Sequence, residues 1–373
     1  MWKCPVCDKE NTAATVCPTC GYDRTCDYEQ YPTAFAVKRA TPTHTLRRQW
    51  QEKQGPSPEQ WYERYWQETD TFKRLAYLRT AAEQGYAPAQ TELGLCYENG
   101  KGVEQDEAQA VRWYRKAAQQ GYARALAIMA RSYSQGQNVE KNEAEASRWF
   151  LRLARQDSPQ ARYWLGRCYE SGWGVEKDAA RAVQWYQKAA EQGHAEAQYD
   201  LGDCYYYGIG VEQDDALAVQ WYQKAAEQGY AEAQYELGVC YEIGYGVEKD
   251  ETQAAQWYRQ AARLGESLAQ HSLGECYENG IGVKKDADQA AQWYRKSAEQ
   301  DSSFGQYDLG RCYANGIGVE RDLAQAVHWY QKAAEQGNKD AQRALADCYE
   351  NGRGVPKDAN QAAYWREKAK SRN

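Results

Sequence analysis

The sequence lacks the features on which membrane-spanning, secreted and nucleic-acid-binding proteins depend. Its 373 residues contain no apolar run near the roughly 20 residues that a membrane helix needs. The N-terminal stretch "MWKCPVCDKE" has no charged-then-apolar pattern of a signal peptide. Lys and Arg total 46 against 53 Asp and Glu, a net charge of -7, so no overall positive charge attracts nucleic acid or anionic lipid. We therefore expect a soluble, cytoplasmic protein with no membrane partner.

Phenylalanine and methionine are scarce, whereas other large side chains are abundant. The chain has 4 Phe and 2 Met against 14 Trp and 31 Tyr, a skew expected when one template is copied several times. A step of 36 residues separates Trp113, Trp149, Trp185, Trp221, Trp257, Trp293, Trp329 and Trp365. The same step, with Ser132 in its one gap, relates Cys96, Cys168, Cys204, Cys240, Cys276, Cys312 and Cys348. Eight repeats fit from Tyr86 to Asn373 without an insertion.

Each repeat has the pattern of two helices joined by a glycine-bearing turn, as the fifth repeat (230–265) shows. One face of its first helix is indicated by the three- and four-residue steps between Ala233, Leu237, Cys240, Tyr241 and Gly244. Asp250 is typical of an N-cap and Gly265 of a left-handed C-terminal glycine. One side of a second helix carries Ala254, Trp257, Tyr258, Ala261 and Ala262. Gly238 and the alanine pair are predicted to let helix backbones approach closely.

A single hairpin of this kind cannot bury its apolar face, so neighbouring copies must stack. The predicted fold is all-α, a right-handed superhelical α-solenoid of helix-turn-helix repeats with an extended concave face. The L-G-x-x-Y of Leu237, Gly238 and Tyr241 is shared with tetratricopeptide repeats, which are shorter. The length of 36 residues, the G-x-G-V-x-x-D turn and the A-x-x-W-Y-x-x-A-A-x-x-G helix resemble the Sel-one-like repeat (SLR) family. This resemblance implies an adaptor that binds other proteins and has no catalysis of its own.

The glycine turn and the repeating cysteine have structural interpretations. A phosphate-binding loop would occur once, whereas this turn recurs with variable central residues, and Asn138 replaces its second glycine in the second repeat. A catalytic cysteine needs a base. The only histidines, none at a repeating position near the cysteines, are His44, His194, His271 and His328. We therefore predict cysteines that pack as small hydrophobic residues, with free thiols typical of a reducing compartment.

Four cysteines near the N-terminus break the period. "KCPVCDKENTAATVCPTCGYD" contains two C-P-x-C knuckles, whose spacing can close a tetrahedral zinc site with Cys4, Cys7, Cys17 and Cys20 as ligands. The stretch resembles the short zinc-ribbon modules of many bacterial proteins, although Asp8 stands where those often have glycine. A rubredoxin-type iron site and two separate redox pairs are the alternatives. We predict a structural zinc ion, because four thiolates leave no open coordination position.

The predicted domains are a zinc ribbon (1–26), a linker (27–56), a degenerate capping hairpin (57–85) and eight repeats (86–373). Ser57, Pro58 and Gln60 form a helix-start signature. Asp70 lies 36 residues before Asp106, but the hairpin lacks the G-x-G turn. It is predicted to cover the apolar side of the first repeat.

Positions that differ between repeats, against a constant framework, are candidates for a binding face. One stripe of the first helix, predicted to lie opposite the packing face, carries a tyrosine in several repeats. Tyrosine supplies contact area at modest entropy cost, and charged neighbours would set a charge preference. The candidate partner-binding residues are Tyr163, Arg167, Tyr199, Asp203, Tyr235, His271, Glu275, Tyr307 and Arg311. Stacking of the tyrosines on one another along the inner wall is an equally open interpretation.

The sequence thus predicts a non-catalytic scaffold that binds a protein or peptide on its concave face and has no small-molecule substrate. An effector or toxin-neutralising (immunity) protein, a role of some SLR relatives, is an alternative that would use the same groove. A nucleic-acid-associated regulator acting through the zinc ribbon is a third hypothesis. Residues 1–57 carry eight Lys and Arg against six Asp and Glu, which is a weak basis for nucleic-acid binding.

Overall fold

A computed structural model describes residues 2–3, 10–11 and 55–370. Cys4, Cys7, Cys17 and Cys20, and the predicted linker up to residue 54, lie outside the described residues. The described strands are β1 (Trp2–Lys3) and β2 (Glu10–Asn11), which pair antiparallel with Trp2 opposite Asn11. Among the described helices, none combines the length and the apolar character needed to cross a bilayer.

The described part of the chain is otherwise helical, with one hairpin of two helices in each repeat. The helices are α1 (Pro58–Gln67), α2 (Thr71–Glu83), α3 (Ala87–Asn99), α4 (Glu107–Gln119), α5 (Ala123–Gln135), α6 (Glu143–Ala154), α7 (Pro159–Ser171), α8 (Ala179–Ala190), α9 (Ala195–Tyr207), α10 (Asp215–Glu227), α11 (Ala231–Ile243), α12 (Glu251–Leu264), α13 (Ser267–Asn279), α14 (Ala287–Glu299), α15 (Ser303–Asn315), α16 (Leu323–Glu335), α17 (Lys339–Asn351) and α18 (Ala359–Lys370). The prediction of an all-α repeat array is confirmed for the described repeats.

The chain divides into two compact units, Met1–Asn142 and Glu143–Asn373. Unit 1 contains α1–α5 and unit 2 contains α6–α18. The border falls inside the second repeat, directly after the turn that reads "QGQNVEKN". The repeat period did not predict this division. The right-handed superhelix stays a prediction.

The helix ends follow the local chemistry of the sequence. The Asp250 side chain accepts hydrogen bonds from the backbone N–H groups at the start of α12, which satisfies donors that have no partner within the helix. Gly265 ends the same helix with a φ of 101°. Asn138 has a φ of 62°, so it takes the left-handed conformation of the glycine that it replaces. The predicted caps and turn geometry are confirmed at these positions.

Within a repeat, the two helices meet where a glycine faces a tyrosine. Tyr258 is buried, and a Cβ atom on Gly238 would lie 2.6 Å from its ring. The glycine therefore makes room for an aromatic ring of the second helix, a contact that was not predicted from the sequence. The same arrangement occurs in Gly166–Tyr186, Gly202–Tyr222, Gly274–Tyr294 and Gly310–Tyr330.

Successive repeats share apolar clusters, which is why the hairpins stack. Between α10 and α11, Tyr222 packs in one cluster with Leu237 and Cys240. In unit 1, Tyr65 and Leu78 of the α1–α2 hairpin join the cluster of the first repeat. The seven repeat cysteines are free and buried, so the prediction that they are packing residues is confirmed.

A buried glutamine adds a polar link between repeats that the sequence did not reveal. The Gln198 side-chain amide donates to the backbone carbonyl of Ala190, 3.0 Å away in the preceding repeat. Its own carbonyl oxygen accepts a hydrogen bond of 2.7 Å from the Gln228 amide. Both ends of the side-chain amide are thus satisfied, as burial of a polar group requires. Equivalent pairs are Gln90–Gln120, Gln270–Gln300 and Gln306–Gln336.

Candidate partner-binding face

The candidate site lies on one side of the first helices of unit 2. In α11 this side carries Tyr235, Glu236, Val239 and Glu242, which are all partly exposed, whereas Leu237 on the opposite side is buried. We call these four positions, taken over α7, α9, α11, α13 and α15, the first-helix face. The equivalent residues are Tyr163, Trp164, Arg167 and Glu170; Tyr199, Asp200, Asp203 and Tyr206; His271, Ser272, Glu275 and Glu278; and Tyr307, Asp308, Arg311 and Ala314.

The predicted tyrosine stripe is less exposed than its placement opposite the packing face implied. The Tyr235 ring lies 5.8 Å, centroid to centroid, from the buried Tyr258 ring of its own repeat. This contact recurs at separations of 5.7 to 5.9 Å in Tyr163–Tyr186, Tyr199–Tyr222, His271–Tyr294 and Tyr307–Tyr330. Tyr163 is only 8% exposed. The placement is therefore corrected: each ring packs against the second helix and offers only part of its surface.

The two predicted arginines form ion pairs within the protein. Arg311 donates to both carboxylate oxygens of Glu278, and its Nε donates to Asp308 at 3.0 Å. Arg167 lies 3.3 Å from Glu170 and 3.6 Å from Asp200 of the next repeat. Each guanidinium thus joins carboxylates of two successive repeats. Their first role is to hold neighbouring repeats together.

Between these arginines, the first-helix face is acidic. Its positions in the fourth to sixth repeats contain no Lys or Arg and six carboxylates: Asp200, Asp203, Glu236, Glu242, Glu275 and Glu278. Some accept a hydrogen bond from a second-helix tyrosine; the Tyr222 hydroxyl donates to Asp203 at 2.7 Å and the Tyr258 hydroxyl to Glu242 at 2.5 Å. Asp200 pairs with Arg167, Glu278 with Arg311, and Glu275 lies 3.6 Å from the His271 ring. In the described chain, Asp203, Glu236 and Glu242 are therefore the carboxylates of this part of the face that no basic side chain pairs with.

Glu236 is the carboxylate of this face with the least compensation. Within the described chain it has no hydrogen-bond or ion-pair partner. Burial raises its pKa to about 7, and the charges of Asp203 and Glu266 act in the same direction. Burial likewise raises the pKa of Asp200 to about 7, although Arg167 opposes the shift. A cation of a partner protein would favour the ionised form of Glu236, because its attraction would offset both the burial of the carboxylate and the repulsion by Asp203 and Glu266.

The raised pKa of Glu236 predicts a pH-dependent stability. Because the folded pKa exceeds the ordinary value of 4.5, the contribution of Glu236 to stability is present below pH 4.5 and is lost as the pH rises through about 7. Glu236→Gln cannot ionise, so we expect it to match the wild type near pH 4.5. At pH 8 it should be more stable by about 1 kcal/mol, or roughly 2–4 °C in the melting midpoint, after allowance for partial solvent access.

Thermal melting followed by circular dichroism at the two pH values tests this prediction. Glu212→Gln, which changes an exposed glutamate in a turn, serves as the control and should shift the midpoint equally at both. If the difference in melting midpoint between Glu236→Gln and the wild type were the same at both pH values, the raised pKa of Glu236 would be contradicted.

An exposed cluster of aromatic and aliphatic side chains adjoins the acidic part of the face. The Tyr206 ring lies 4.7 Å from that of Tyr207 and 4.6 Å from that of Tyr245, so it connects the fourth and fifth repeats. Tyr207 is 66% exposed and Ile243 is 58% exposed. We call Tyr206, Tyr207, Ile243 and Tyr245 the aromatic patch. The signal was present in the sequence, since the positions of Tyr207 and Ile243 carry Asn99, Gln135, Ser171, Asn279, Asn315 and Asn351 in the other repeats.

The described residues contain no group of three or more His, Cys, Asp and Glu side chains that could hold a metal ion. The four predicted zinc ligands lie outside that part of the chain. The repeat cysteines are poor nucleophiles, because burial raises the pKa of Cys276 to about 12.

A family model described as Sel1 repeat matches residues 87–122, 123–158, 159–194, 195–230, 231–266, 267–302, 303–338 and 339–373. Of the solved structures, c5321, "a protective antigen present in uropathogenic Escherichia coli strains displaying an SLR fold", is 41% identical with a TM-score of 0.74. That match covers 79% of this chain and 63% of c5321, so this chain spans less than two thirds of that protein.

A Sel1 repeat protein from Oxalobacter formigenes is 34% identical with a TM-score of 0.64, over 84% of this chain and 90% of that protein. Immunity protein Pa5087 from Pseudomonas aeruginosa is 23% identical over 57% of this chain and 80% of its own, with a TM-score of 0.37, which supports no conclusion about role. A comparison with curated proteins gave no significant match.

Proposed function

Because the chain belongs to the Sel1 repeat family, we propose that it is a scaffold that binds a segment of a partner protein along the first-helix face of unit 2. One observation carries this proposal: the face changes its chemistry from repeat to repeat while the contacts that build the repeats recur. At one position of the face the successive residues are Arg167, Asp203, Val239, Glu275 and Arg311. No one side chain recurs at this position, so Asp203, Val239 and Glu275 are available to a partner, whereas Arg167 and Arg311 are held in ion pairs between repeats.

The structure supports binding rather than thiol catalysis as the mode of action. A thiol with a pKa near 12 remains protonated at neutral pH and cannot act as a nucleophile. Among the candidate residues, Asp203, Tyr235 and Glu275 keep solvent-accessible surface and are proposed to contact the partner directly. Arg167 and Arg311 are proposed to shape the face through their ion pairs.

The alternative roles of the chain stay predictions. An effector or immunity protein would use the same face on a different partner. A nucleic-acid regulator would have to overcome the acidic character of this face and a net charge of -7.

Placing a large cation on the first-helix face should block partner binding. Val239→Arg introduces a residue that the framework already accepts at the equivalent positions Arg131, Arg167 and Arg311. Its side chain would project among Glu236 and Glu242 and occupy the surface that the partner needs. We expect at least about a tenfold loss of affinity, as for a central interface position, with unchanged helical circular dichroism.

Affinity purification from the native host, quantified by mass spectrometry, measures this loss. Leu264→Asn is the matched control, because Leu264 is 58% exposed but lies at the end of the second helix of the same repeat. Equal recovery of the partner by wild type, Val239→Arg and Leu264→Asn would show that the partner binds elsewhere.

We further propose that the N-terminal cysteines hold a structural zinc ion. The pairing of β1 with β2 supports this proposal, since a short antiparallel pair flanks the stretch of sequence that contains Cys4 and Cys7. Thiolates of Cys4, Cys7, Cys17 and Cys20 would supply the four ligands. A segment this short buries little apolar surface, so the metal would provide most of its folding free energy.

Removal of one knuckle tests the zinc proposal. The double variant Cys17→Ser/Cys20→Ser should lose the metal, from about one zinc per chain to none, because two ligands cannot hold the ion. Elemental analysis after size-exclusion chromatography measures the content, and helical circular dichroism should not change. Cys26→Ser, which lies outside the two knuckles, should retain the metal. Iron in the purified protein, or no metal at all, would contradict the proposal.

A further inference from the structure

We propose that the aromatic patch, together with Asp203 and Glu236, binds a cationic segment of the partner protein that also carries an apolar anchor residue. This inference rests on the proposed function and specifies the chemistry of the partner at the fourth and fifth repeats.

The aromatic patch is exposed where the repeat framework does not need apolar residues. Tyr207 and Ile243 end α9 and α11, and both helices close on a left-handed glycine as their neighbours do. In three other repeats this position holds an asparagine, Asn99, Asn315 or Asn351, whose side chain donates back to a carbonyl of the same helix, as Asn315 does to Arg311 at 3.0 Å. Tyr207 and Ile243 forgo that hydrogen bond and expose 66% and 58% of their surface. Such a patch in the interior of an array marks a contact surface.

The patch and the carboxylates lie on one continuous surface. Asp203 lies one helical turn before Tyr207 on α9, and Glu236 lies two turns before Ile243 on α11, so each pair shares a helix side. Burial and the charges of Glu236 and Asp203 raise the pKa of the Tyr207 hydroxyl, which agrees with this placement. A ligand seated on the patch therefore meets both carboxylates.

Charge complementarity identifies the occupant. The first-helix positions of the fourth and fifth repeats carry no Lys or Arg. Of their carboxylates, Asp200 pairs with Arg167 of the preceding repeat, whereas Asp203, Glu236 and Glu242 have no ion-pair partner in the described chain. A lysine or arginine of the partner would pair with Glu236, which has no partner in the described chain. The adjacent Tyr199 and Tyr235 rings are suited to the same cation. An aromatic or aliphatic side chain one turn away would cover the exposed patch.

The test uses fluorescence anisotropy with three synthetic peptides and the full-length protein. The first peptide alternates lysine with leucine and carries one tryptophan; the second replaces each lysine with glutamate; the third replaces each apolar residue with serine. Only the first is expected to bind, with an affinity that falls as salt increases.

Variants locate this binding on the protein. Tyr207→Asn/Ile243→Asn installs residues that equivalent repeats already use, and it should weaken the first peptide at least about tenfold. Glu236→Gln should weaken it several-fold and reduce the salt dependence. Leu264→Asn and Glu212→Gln, the matched apolar and acidic controls, should have no effect.

Three outcomes would overturn the inference: no binding of the first peptide, equal binding of the glutamate peptide, or an affinity unchanged in Tyr207→Asn/Ile243→Asn. Self-association of the wild type that this double variant abolishes would also overturn it, because the patch would then serve a second copy. Failure of the proposed function can be told apart from failure of this inference, because it is measured separately: Val239→Arg would then capture the partner as well as the wild type does. If Val239→Arg loses the partner while the peptides show no charge preference, the partner binds the first-helix face but does not present a cationic segment to it.

Discussion

Gly282→Ala is expected to destabilise unit 2 far more than an ordinary glycine replacement. A Cβ atom on Gly282 would lie 1.9 Å from the backbone carbonyl oxygen of Glu251, at the start of the second helix of the preceding repeat. The φ of Gly282 is also 62°, which alanine adopts at a cost of about 1–2 kcal/mol. Backbone cannot move aside as a flexible side chain can. We therefore expect a total loss above about 4 kcal/mol, a shift of the melting midpoint of more than about 8 °C.

Gly229→Ala is the control that separates the steric clash with the neighbouring backbone from the cost of a positive φ. Gly229 has a φ of 85°, but a Cβ atom there would meet nothing within 4 Å. Its replacement should cost only the backbone strain, about 1–2 kcal/mol. Thermal and denaturant unfolding of both variants measures the difference. Similar midpoints for the two would mean that neighbouring repeats do not approach as closely as the structure shows.

Arg311→Met is the second substitution with a large expected effect, because it removes the guanidinium that pairs with Glu278 and Asp308. The His271 ring would remain 2.8 Å from Asp308, so the main loss falls on Glu278. Glu278 pairs with the guanidinium through both oxygens, and Asp308, which is 9% exposed, pairs with its Nε. When the cation of such a cluster is removed, the attraction that offset the free-energy cost of desolvating the carboxylates is lost. We expect a loss of about 3 kcal/mol at neutral pH, the lower part of the range for buried pairs, because the arginine retains some solvent access.

The pH dependence identifies the cause of this loss. Hydrogen bonding to Arg311 lowers the pKa of Glu278 below 4.5, so this stabilisation is present above pH 4.5 and disappears as the pH falls through the folded pKa. The difference in free energy of unfolding between the wild type and Arg311→Met should therefore become smaller at acidic pH. Arg366→Met is the control, because Arg366 and its partners Glu350 and Asp347 are exposed and solvent screens their attraction. Arg366→Met should leave the melting midpoint nearly unchanged. If both variants lost the same stability, burial of the Arg311 cluster would not be the cause of the loss.

Local chemistry made much of the fold predictable. The aspartate caps and the left-handed glycines act within one helix or turn, and each was recognised from residues a few positions apart. The step of 36 residues was recognised by comparing the copies with one another. Asn138 is the clearest case, since its tolerance of positive φ predicted the conformation that the structure shows. The burial of the repeat cysteines followed in the same way from their position on the apolar side of a helix.

The candidate site was predictable only in part. The sequence identified the helix side that carries Tyr235 and Asp203, but it placed the tyrosine rings too far from the packing surface. Whether a ring at the edge of a helix is exposed depends on what the second helix presents, here Tyr258 at 5.8 Å. The aromatic patch was missed although its residues stand out from their equivalents, because exposure of Tyr207 and Ile243 depends on how two hairpins stack.

The sequence by itself determined the helices and their ends, because these depend on contacts within a few residues, and the number of repeats, because the copies recur with a step of 36 residues. Only the tertiary structure decided which glycine faces a ring and which faces a backbone, and which arginine is already paired. It also decided that Glu236 has a pKa of about 7 and no partner in the described chain. These properties arise between residues 20 or more positions apart, such as Gly238 and Tyr258, whose separation is set by the packing of whole helices and not by any local pattern.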